Sequence, residues 1–266
     1  MMQREEKKHP DPQPPMEGSR PNCTECGVLR RALAQNKAEL DAFVYRVSHD
    51  LKAPVVSLQG MASILLEDYQ AALGERGRHY LGRLMSNAEL IERLLADLLI
   101  FSRVGRKGSN PERLHVGEVV QEVLNRFSDE IAKGKIEVRV CSPLPALFFD
   151  RAQLEQVLSQ LISNAIQFMG DRQNPMIEIG ATSDGEAVTF FVRDNGIGID
   201  PQYHETIFGV FERLKEIETE GTGMGLALVR KILNLAGGTI WLESEKKKGA
   251  VFFFRVPDGV LLKDGM

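Results

Sequence analysis

Apolar residues between Leu29 and Val47 recur at alternating steps of four and three, the heptad spacing of a helix that packs along one stripe. The same spacing returns after a glycine-containing turn near Gly74 to Gly77. The two stripes consist of Leu29, Leu33, Asn36, Leu40, Phe43 and Val47, and of Leu81, Leu84, Ala88, Ile91, Leu95 and Leu98. They predict a hairpin of two long helices. One hairpin leaves much of its apolar surface uncovered, so we expect two chains to pair as a homodimeric four-helix bundle, with Asn36 favouring one register.

The pattern changes after a linker at residues 106–111 that carries glycine, serine and proline. Beyond it, helical periodicity alternates with short apolar runs, which predicts an α/β domain. Helices are predicted at 116–131, 150–169 and 224–236, and strands at 137–141, 176–182, 187–194, 239–244 and 251–256. Asp150 is the predicted N-cap of the second of these helices.

The composition excludes several classes of protein. The chain has 266 residues, 43% of them hydrophobic, and a formal net charge of −4, which gives no reason to expect a nucleic-acid partner. No apolar run reaches the ~20 residues that span a bilayer, and the polar N-terminus lacks the apolar core of a signal peptide. We therefore expect no membrane span and a cytoplasmic protein. Residues 1–28 are predicted to form a disordered tail, because they carry many prolines and few large apolar residues, and residues 259–266 a C-terminal tail.

Cys23 and Cys26 form a Cys-x-x-Cys pair within the predicted N-terminal tail. Two cysteines are half of a tetrahedral zinc site, and no second pair follows. Two readings stay open: incidental reduced thiols, or a four-cysteine metal or redox site to which each chain of a dimer contributes one pair.

The first helix contains the run Ser48-His49-Asp50-Leu51-Lys52-Ala53-Pro54. His49 lies two residues past Val47 of the apolar stripe, which turns its side chain towards solvent. A neutral imidazole has one ring nitrogen available as a nucleophile, and Asp50 is placed to accept the other ring proton. Pro54 removes a backbone hydrogen bond, so a kink is expected just beyond this pair.

Three stretches of the second domain indicate a ligand site when they are taken together. Asp194-Asn-Gly-Ile-Gly198 follows a strand, where a carboxylate accepts a hydrogen bond and glycines permit close approach, although such a stretch is also an ordinary turn. Gly221-Thr-Gly-Met-Gly225 precedes a predicted helix, whose free amides favour phosphates; the alternative is a flexible surface loop. Asn164 lies beside the apolar face of a helix. Its side-chain oxygen is a neutral ligand suited to Mg²⁺; the alternative is an ordinary surface residue.

The ordered series of motifs resembles the sensor histidine kinases over residues 29–257, most closely their phytochrome-type cytosolic branch. The motifs are Ser48 to Pro54, Asn164-Ala165, Asp194 to Gly198, Phe208 to Arg213 and Gly221 to Leu226. The resemblance implies an α+β fold class: a dimerisation and phosphotransfer hairpin at 29–107, followed at 112–258 by an α/β sandwich that binds ATP through a mixed sheet and helices.

The resemblance also assigns roles within the nucleotide site. Asp194 binds the adenine amine, Asn164 coordinates Mg²⁺, and Gly196 and Gly198 shape the base pocket. Phe208 and Phe211 anchor a lid over the nucleotide, and Arg213 and Lys215 neutralise phosphate charge. Gly221, Gly223 and Gly225 hinge the lid and contact the phosphates, and Thr222 and Leu226 of the same stretch also belong to the nucleotide site. Core packing is an equally good reading of the two phenylalanines, and Trp241 is read as core only.

The implied reaction is ATP-dependent phosphorylation of His49, with Asp50 as its base, followed by transfer to an aspartate of a response-regulator receiver domain. No receiver domain is evident in this sequence, so the regulator is expected to be a separate protein. Input from a separate sensory partner or from the cysteine pair is compatible with the sequence.

Three positions depart from the family pattern. Gln160 stands where the nucleotide helix often has a first asparagine, and Gln167 where a basic residue is common. Ala53 occupies the position, four residues after His49, at which the family often has Thr or Asn to orient a hydrolytic water. Alanine cannot form that hydrogen bond, so weak phosphatase activity is expected.

Two competing functions remain. Gln160 and Gln167 are compatible with a degenerate kinase that binds nucleotide and docks partners through its helices. An ATPase related to type II topoisomerases, or an anti-sigma serine kinase, would share the nucleotide-binding fold but lack the histidine-bearing hairpin.

Overall fold

The computed structural model describes residues 23–105, 110–213 and 221–257. Contacts within the chain divide it into two units, Met1–Phe43 and Val44–Met266. In the first unit the described part is helical, with a hydrogen bond of 3.0 Å from Gln35 Nε2 to Glu39 Oε1. Of the tails predicted at 1–28 and 259–266, residues 1–22 and 259–266 lie outside the described residues.

Two long helices form the predicted hairpin. Helix α1 spans Cys23–Asp68 and helix α2 spans Gln70–Arg103. Gly74 interrupts α2 with a φ of 60° and a ψ of 179°, which places the break in the predicted turn region. Residues 23–28, which we predicted to be disordered, are instead the start of α1. The side chains of Leu29, Leu33 and Leu40, on which the first stripe depends, lie outside the described residues, as do those of Cys23 and Cys26.

The hairpin within the second unit buries small residues and exposes large ones. Val55, Ala62 and Ala88 are buried, and Lys52 Nζ lies 3.7 Å from Glu92 Oε1 between the two helices. Helix α1 continues through Pro54 without a break. Many large apolar side chains of the hairpin remain exposed, among them Leu51, Val56, Leu58, Met61, Ile64, Leu84 and Ile91. No described helix is both long enough and apolar enough to cross a membrane.

The remaining elements make an α/β domain. Its helices are α3 (Val116–Arg126), α4 (Ser128–Gly134), α5 (Arg151–Gln167) and α6 (Gly225–Leu235). Its strands are β1 (Glu112–His115), β2 (Glu137–Val140), β3 (Ala146–Phe149), β4 (Met176–Ser183), β5 (Ala187–Asp194), β6 (Thr239–Glu245) and β7 (Gly249–Pro257). Asp150 caps α5 as predicted, since its Oδ1 accepts a hydrogen bond of 3.1 Å from Gln153 N.

Two predictions about these elements were wrong. The single helix predicted at 116–131 is two helices, because the chain leaves helical geometry at Phe127, with a φ of −104° and a ψ of 16°. Strands β1 and β3 were not predicted; they pair antiparallel as a separate two-stranded sheet.

The main sheet is mixed, as the predicted fold class requires. Its strand order is β2-β4-β5-β7-β6, with β2 parallel to β4 and every other pair antiparallel. Alternate residues of β4, β5 and β7 face α3, α5 and α6 across one continuous core. Phe190 and Phe254 lie opposite each other in that core, with ring centroids 5.0 Å apart. Trp241, half-buried, stacks on Phe253 at 5.4 Å. The loop after β5 lies against the end of α5, where Ile197 N donates a hydrogen bond of 3.0 Å to Phe168 O.

Candidate active site

A cavity of about 350 Å³ opens between α5, α6, the end of β5 and one side of α2. Its volume is in the range of small-molecule and cofactor sites. Most residues predicted for nucleotide binding line it, namely Asn164, Asp194, Gly198, Arg213, Gly221, Thr222, Gly223, Gly225 and Leu226. The three stretches that were far apart in sequence thus surround one space.

Asp194 is a buried carboxylate in the wall of this cavity, with only 7% of its surface exposed. Its Oδ1 accepts hydrogen bonds from Gly196 N at 2.8 Å and from Ala250 N at 3.3 Å. Within the described chain, Oδ2 takes no hydrogen bond and remains available to a ligand donor. Burial raises the pKa of Asp194 to about 6, and the two amides and the charge of Arg172 oppose that rise.

The loop after Asp194 needs its glycines for steric reasons. A Cβ on Gly196 would lie 2.3 Å from Phe168 O, and one on Gly198 would lie 2.1 Å from Glu245 O. Gly198 also has a φ of 68°, a conformation that side chains disfavour. Gly196 itself does not line the cavity; it acts through the amide that it offers to Asp194.

Asn195 and Arg172 tie this loop to its surroundings, and sequence reasoning assigned neither role. Asn195 Oδ1 accepts a hydrogen bond of 2.9 Å from Met176 N, while its Nδ2 donates one of 2.7 Å to Asn174 O. Arg172 Nη2 donates to Gly196 O and to Lys247 O, each at 2.6 Å. The asparagine of the Asp-Asn-Gly stretch is thus a structural tether rather than a group that faces the ligand.

Asn164 fits the role of a magnesium ligand. It is half-buried on α5, lines the cavity, and makes no side-chain hydrogen bond to the described residues. Its amide oxygen is therefore free to coordinate a hard cation. Gln160, one turn earlier, packs against the start of α6, since a Cβ on Gly225 would lie 2.2 Å from Gln160 Oε1. Gln167 lies at the edge of the same cavity.

The glycine loop before α6 presents an anion-binding geometry. Gly223 has a φ of 73°, and a Cβ there would lie 2.7 Å from Glu212 O, so no larger residue fits. Thr222 Oγ1 accepts a hydrogen bond of 3.3 Å from Met224 N. Helix α6 begins at Gly225, directly after this loop, and its first amides have no partner within the helix. Free amides and the helix dipole at this end favour phosphate oxygens.

The two phenylalanines predicted to anchor a lid are in different environments. Phe208 is buried in the core, which agrees with the packing interpretation. Phe211 is 52% exposed with a φ of 64°, and it does not line the cavity. Arg213 reaches the cavity wall, whereas Lys215 lies outside the described residues.

Helix α2 of the hairpin forms one wall of the cavity through Arg93, Ala96 and Asp97. Asp97 Oδ2 accepts a hydrogen bond of 2.5 Å from Thr222 Oγ1. A second contact joins α6 to α2: Lys231 Nζ lies 4.1 Å from the ring centroid of Phe101 and donates a hydrogen bond to Phe101 O. Nothing local in the sequence marks these residues, because their partners are more than a hundred positions away.

His49 lies on α1 with its imidazole open to solvent, as predicted. The side chains of His49 and Asp50 are 75% and 79% exposed, and His49 Nδ1 lies 3.3 Å from Asp50 Oδ1. A proton on Nδ1 would be donated to Asp50, which leaves Nε2 with its lone pair. Neither residue lines the cavity. Ala53, one turn later, is exposed, and Ser48 is buried with its hydroxyl unpaired within the described chain.

Two family descriptions match the chain at the positions of these two sites. Residues 39–107 match the His Kinase A (phospho-acceptor) domain, and residues 149–260 match the histidine kinase-, DNA gyrase B-, and HSP90-like ATPase family. The first range contains His49, and the second contains the cavity residues of α5, β5 and α6.

Individual proteins show the same likeness. The methanogenesis regulatory histidine kinase FilI of Methanothrix harundinacea is 41% identical over 83% of this chain and 25% of its own length. Cyanobacterial phytochrome B of Nostoc sp. is 38% identical over 88% of this chain and 31% of its own length. The crystal structure of full-length ShkA in complex with AMPPNP superposes with a TM-score of 0.61 at 28% identity, over 81% of this chain and 45% of that one. This chain therefore spans between about a quarter and a third of the two curated relatives.

Proposed function

Because the chain belongs to the histidine kinase family, we propose that it phosphorylates itself on His49 with ATP and passes the phosphoryl group to an aspartate of a response-regulator receiver domain. We assign phosphoacceptance to the hairpin at 29–107 and ATP binding to residues 112–258. The observation that carries the proposal is the cavity that gathers Asp194, Asn164 and the 221–225 glycine loop in a chain that also exposes His49 beside Asp50.

Adenine recognition falls to Asp194. The free Oδ2 of a buried carboxylate accepts a hydrogen bond from the exocyclic amine of adenine, and low solvent access strengthens that bond. Guanine carries a carbonyl at the corresponding position, so its approach would set two acceptors against each other. The site should therefore select adenine over guanine nucleotides.

The phosphate end lies between Asn164 and the start of α6. The Gly221-to-Gly225 loop and the first amides of α6 bind phosphate oxygens, and Arg213 at the cavity wall adds positive charge. Asn164 is the residue that would hold Mg²⁺ against the phosphates. A Mg²⁺ ion held there would supply positive charge that offsets the negative charge developing during phosphoryl transfer.

The His49 imidazole is the nucleophile. Nε2 attacks the γ-phosphorus while the bond to the β,γ-bridging oxygen breaks, so a P–N bond forms and ADP leaves. Asp50 holds the Nδ1 proton and stabilises the positive charge that the ring acquires; that proton then passes to Asp50 and to solvent. In the second step a receiver-domain carboxylate attacks the same phosphorus, the P–N bond breaks, and His49 is restored.

Within one chain, His49 and the nucleotide cavity are separate sites. His49 does not line the cavity, so the γ-phosphate reaches it only after the ATP-binding domain moves relative to the hairpin, or acts on the hairpin of a second chain.

We propose that the exposed apolar side chains of the hairpin, such as Leu84 and Ile91, pair two chains as a homodimer. The reaction needs ATP, which places it in the cytoplasm. The stimulus reaches the hairpin from a separate sensory partner or from sequence that the longer relatives carry in addition.

The decisive experiment is incubation of the purified chain with γ-labelled ATP and Mg²⁺. Wild-type protein should take up label that is lost in acid and retained in base, as a phosphoramidate requires. His49→Ala should remove that label to background, whereas His79→Ala, which changes another exposed histidine on α2, should retain it. Label that persists in His49→Ala would contradict the proposal. ATP binding without any labelling of wild-type protein would favour the nucleotide-binding interaction protein instead.

A further inference from the structure

Arg172 lies in the segment between α5 and β4, half-buried beside the cavity that Asp194 lines. Its Nη2 donates hydrogen bonds to Gly196 O and Lys247 O, each at 2.6 Å. These carbonyls belong to different segments: one to the loop after β5, the other to the turn between β6 and β7. A single guanidinium group therefore joins two loops that meet only in the folded chain.

The two loops depend on each other for the shape of the base pocket. Lys247 N donates to Ile197 O at 2.6 Å, and Ile197 N donates to Phe168 O at 3.0 Å. Ile197 lines the cavity between Gly196 and Gly198. Hydrogen bonds from a charged donor are stronger than neutral ones, and a guanidinium holds several in a fixed plane. Arg172 thus fixes the backbone from which Asp194 and Ile197 face the ligand.

Arg172 also acts on the charge of Asp194. Burial raises the pKa of that carboxyl to about 6, and the positive charge of Arg172 lowers it. The sheet neighbours of Asp194 are apolar: Ile177 lies opposite on β4 and Ala250 on β7. The other charged side chains around the cavity are Arg93, Asp97, Glu212 and Arg213. The positive charge of Arg172 favours the ionised carboxylate of Asp194.

We propose that Arg172 is a positioning residue for nucleotide recognition, which holds the 194–198 loop in the shape from which Asp194 accepts a hydrogen bond from adenine. The inference rests on the proposed function only in taking an adenine nucleotide as the ligand. Arg172 does not itself line the cavity, so its effect passes through Gly196, Lys247 and Asp194.

Two variants separate the two effects. Arg172→Lys keeps a positive charge, but its side chain is shorter and lacks the planar group that aims both Nη2 hydrogens at the two carbonyls. Arg172→Gln loses the charge as well as that planar group. A purely structural role would weaken nucleotide binding by the same factor at every pH. A charge role would in addition move the pH at which binding is lost, since the pKa of Asp194 would rise without the guanidinium.

The test is calorimetric titration of the full chain with ADP between pH 5 and pH 8. Arg172→Gln should bind ADP about tenfold more weakly at pH 7, with the pH midpoint of binding displaced upward. Arg172→Lys should bind more weakly than wild type but keep its midpoint. Arg255→Gln, which removes an exposed arginine paired with Asp184 at 2.7 Å, is the matched control and should leave both unchanged.

Several outcomes would overturn the inference. Wild-type affinity and midpoint in Arg172→Gln would do so, and so would an equal upward displacement of the midpoint in both variants. If Arg172→Gln does not fold by thermal melting, Arg172→Lys decides alone: unchanged ADP affinity rejects the positioning role. Failure of wild-type protein to bind ADP would instead reject the proposed function, which keeps the two failures apart.

Discussion

The Thr222 hydroxyl donates a hydrogen bond to the Asp97 carboxylate across 2.5 Å and so connects the glycine loop before α6 with helix α2 of the hairpin. The same hydroxyl accepts from Met224 N, next to the free amides at the start of α6. Asp97 therefore places a negative charge beside the positive end of a helix dipole, where the phosphates of a nucleotide are expected.

Removing that charge should strengthen ATP binding. Asp97→Asn retains a hydrogen-bond acceptor for Thr222 but no longer repels phosphate, so we expect the affinity for ATP to rise about fivefold, or ~1 kcal/mol. Titration with Mg²⁺ and ATP measures it, with Asp129→Asn on α4 as a control that is remote from the cavity lining. Weaker binding in Asp97→Asn would mean that Asp97 assists the bound nucleotide rather than competing with it.

Asp194 should make the nucleotide-free protein less stable as pH rises. Its pKa is about 6 in the folded chain and about 3.9 in an unfolded one, so the folded state binds more protons between these values. The free energy of unfolding therefore falls as pH rises from about 4 to 6. Over the same range ATP affinity should increase with pH, because the ionised carboxylate is the better acceptor.

Asp194→Asn should consequently stabilise the protein and abolish tight nucleotide binding. The amide can still accept from Gly196 N and Ala250 N without a buried charge, so we expect the free energy of unfolding at pH 7 to rise by about 1–3 kcal/mol. Urea unfolding at pH 7 and pH 4 measures the gain, which should shrink at the lower pH. Asp184→Asn is the control with the opposite sign, because backbone amides of Ala187 and Glu186 lower the pKa of that exposed carboxyl. A destabilised Asp194→Asn would contradict the prediction.

Ala53→Thr should increase phosphatase activity. Ala53 is exposed one turn after His49, and a threonine hydroxyl there could orient a water towards a receiver aspartyl phosphate. We expect dephosphorylation to become about tenfold faster or more. The substrate is a phosphorylated receiver domain found to accept phosphate from this chain in a transfer assay. Ser57→Thr, one further turn along α1, is the control; equal rates in both variants and in wild type would refute the role of position 53.

Substituting the exposed apolar side chains of α2 should separate the dimer. Leu84→Glu together with Ile91→Glu would bury two charges in the proposed interface, so we expect the dissociation constant to rise about a hundredfold or more, roughly 3 kcal/mol. Light scattering gives the mass at several concentrations. Arg83→Glu changes an exposed neighbour and should leave the mass unchanged. An unaltered dimer in the double variant would place the interface elsewhere.

The sequence predicted the parts of the site that are local in the chain. Two short stretches show a recognisable pattern within a few residues: Asp194 with its two glycines, and the Gly221-to-Gly225 loop before a helix. Both stretches contribute residues to the cavity wall. Arg172 and Asp97 were not predicted, because their roles arise from contacts with Lys247 and Thr222, far away in sequence.

The missed secondary structure has a similar cause. In β1 only Leu114 is buried, so four residues carry too little pattern to predict a strand. The apolar periodicity of α3 continues through Ile131, yet the helix ends at Arg126 and a second one starts at Ser128. Such a break depends on tertiary packing, which the apolar periodicity of the sequence does not reveal.

Helix α2 belongs to the hairpin and also supplies a wall of the cavity through Arg93, Ala96 and Asp97. Any rotation of α2 therefore alters the shape and charge that a nucleotide meets. Thermodynamic reciprocity requires the converse: a nucleotide that prefers one setting of α2 biases the hairpin towards it by the same free energy. The hairpin and the nucleotide are thus partners in a single equilibrium: whatever turns α2 changes the affinity for nucleotide, and a bound nucleotide opposes or assists that turn.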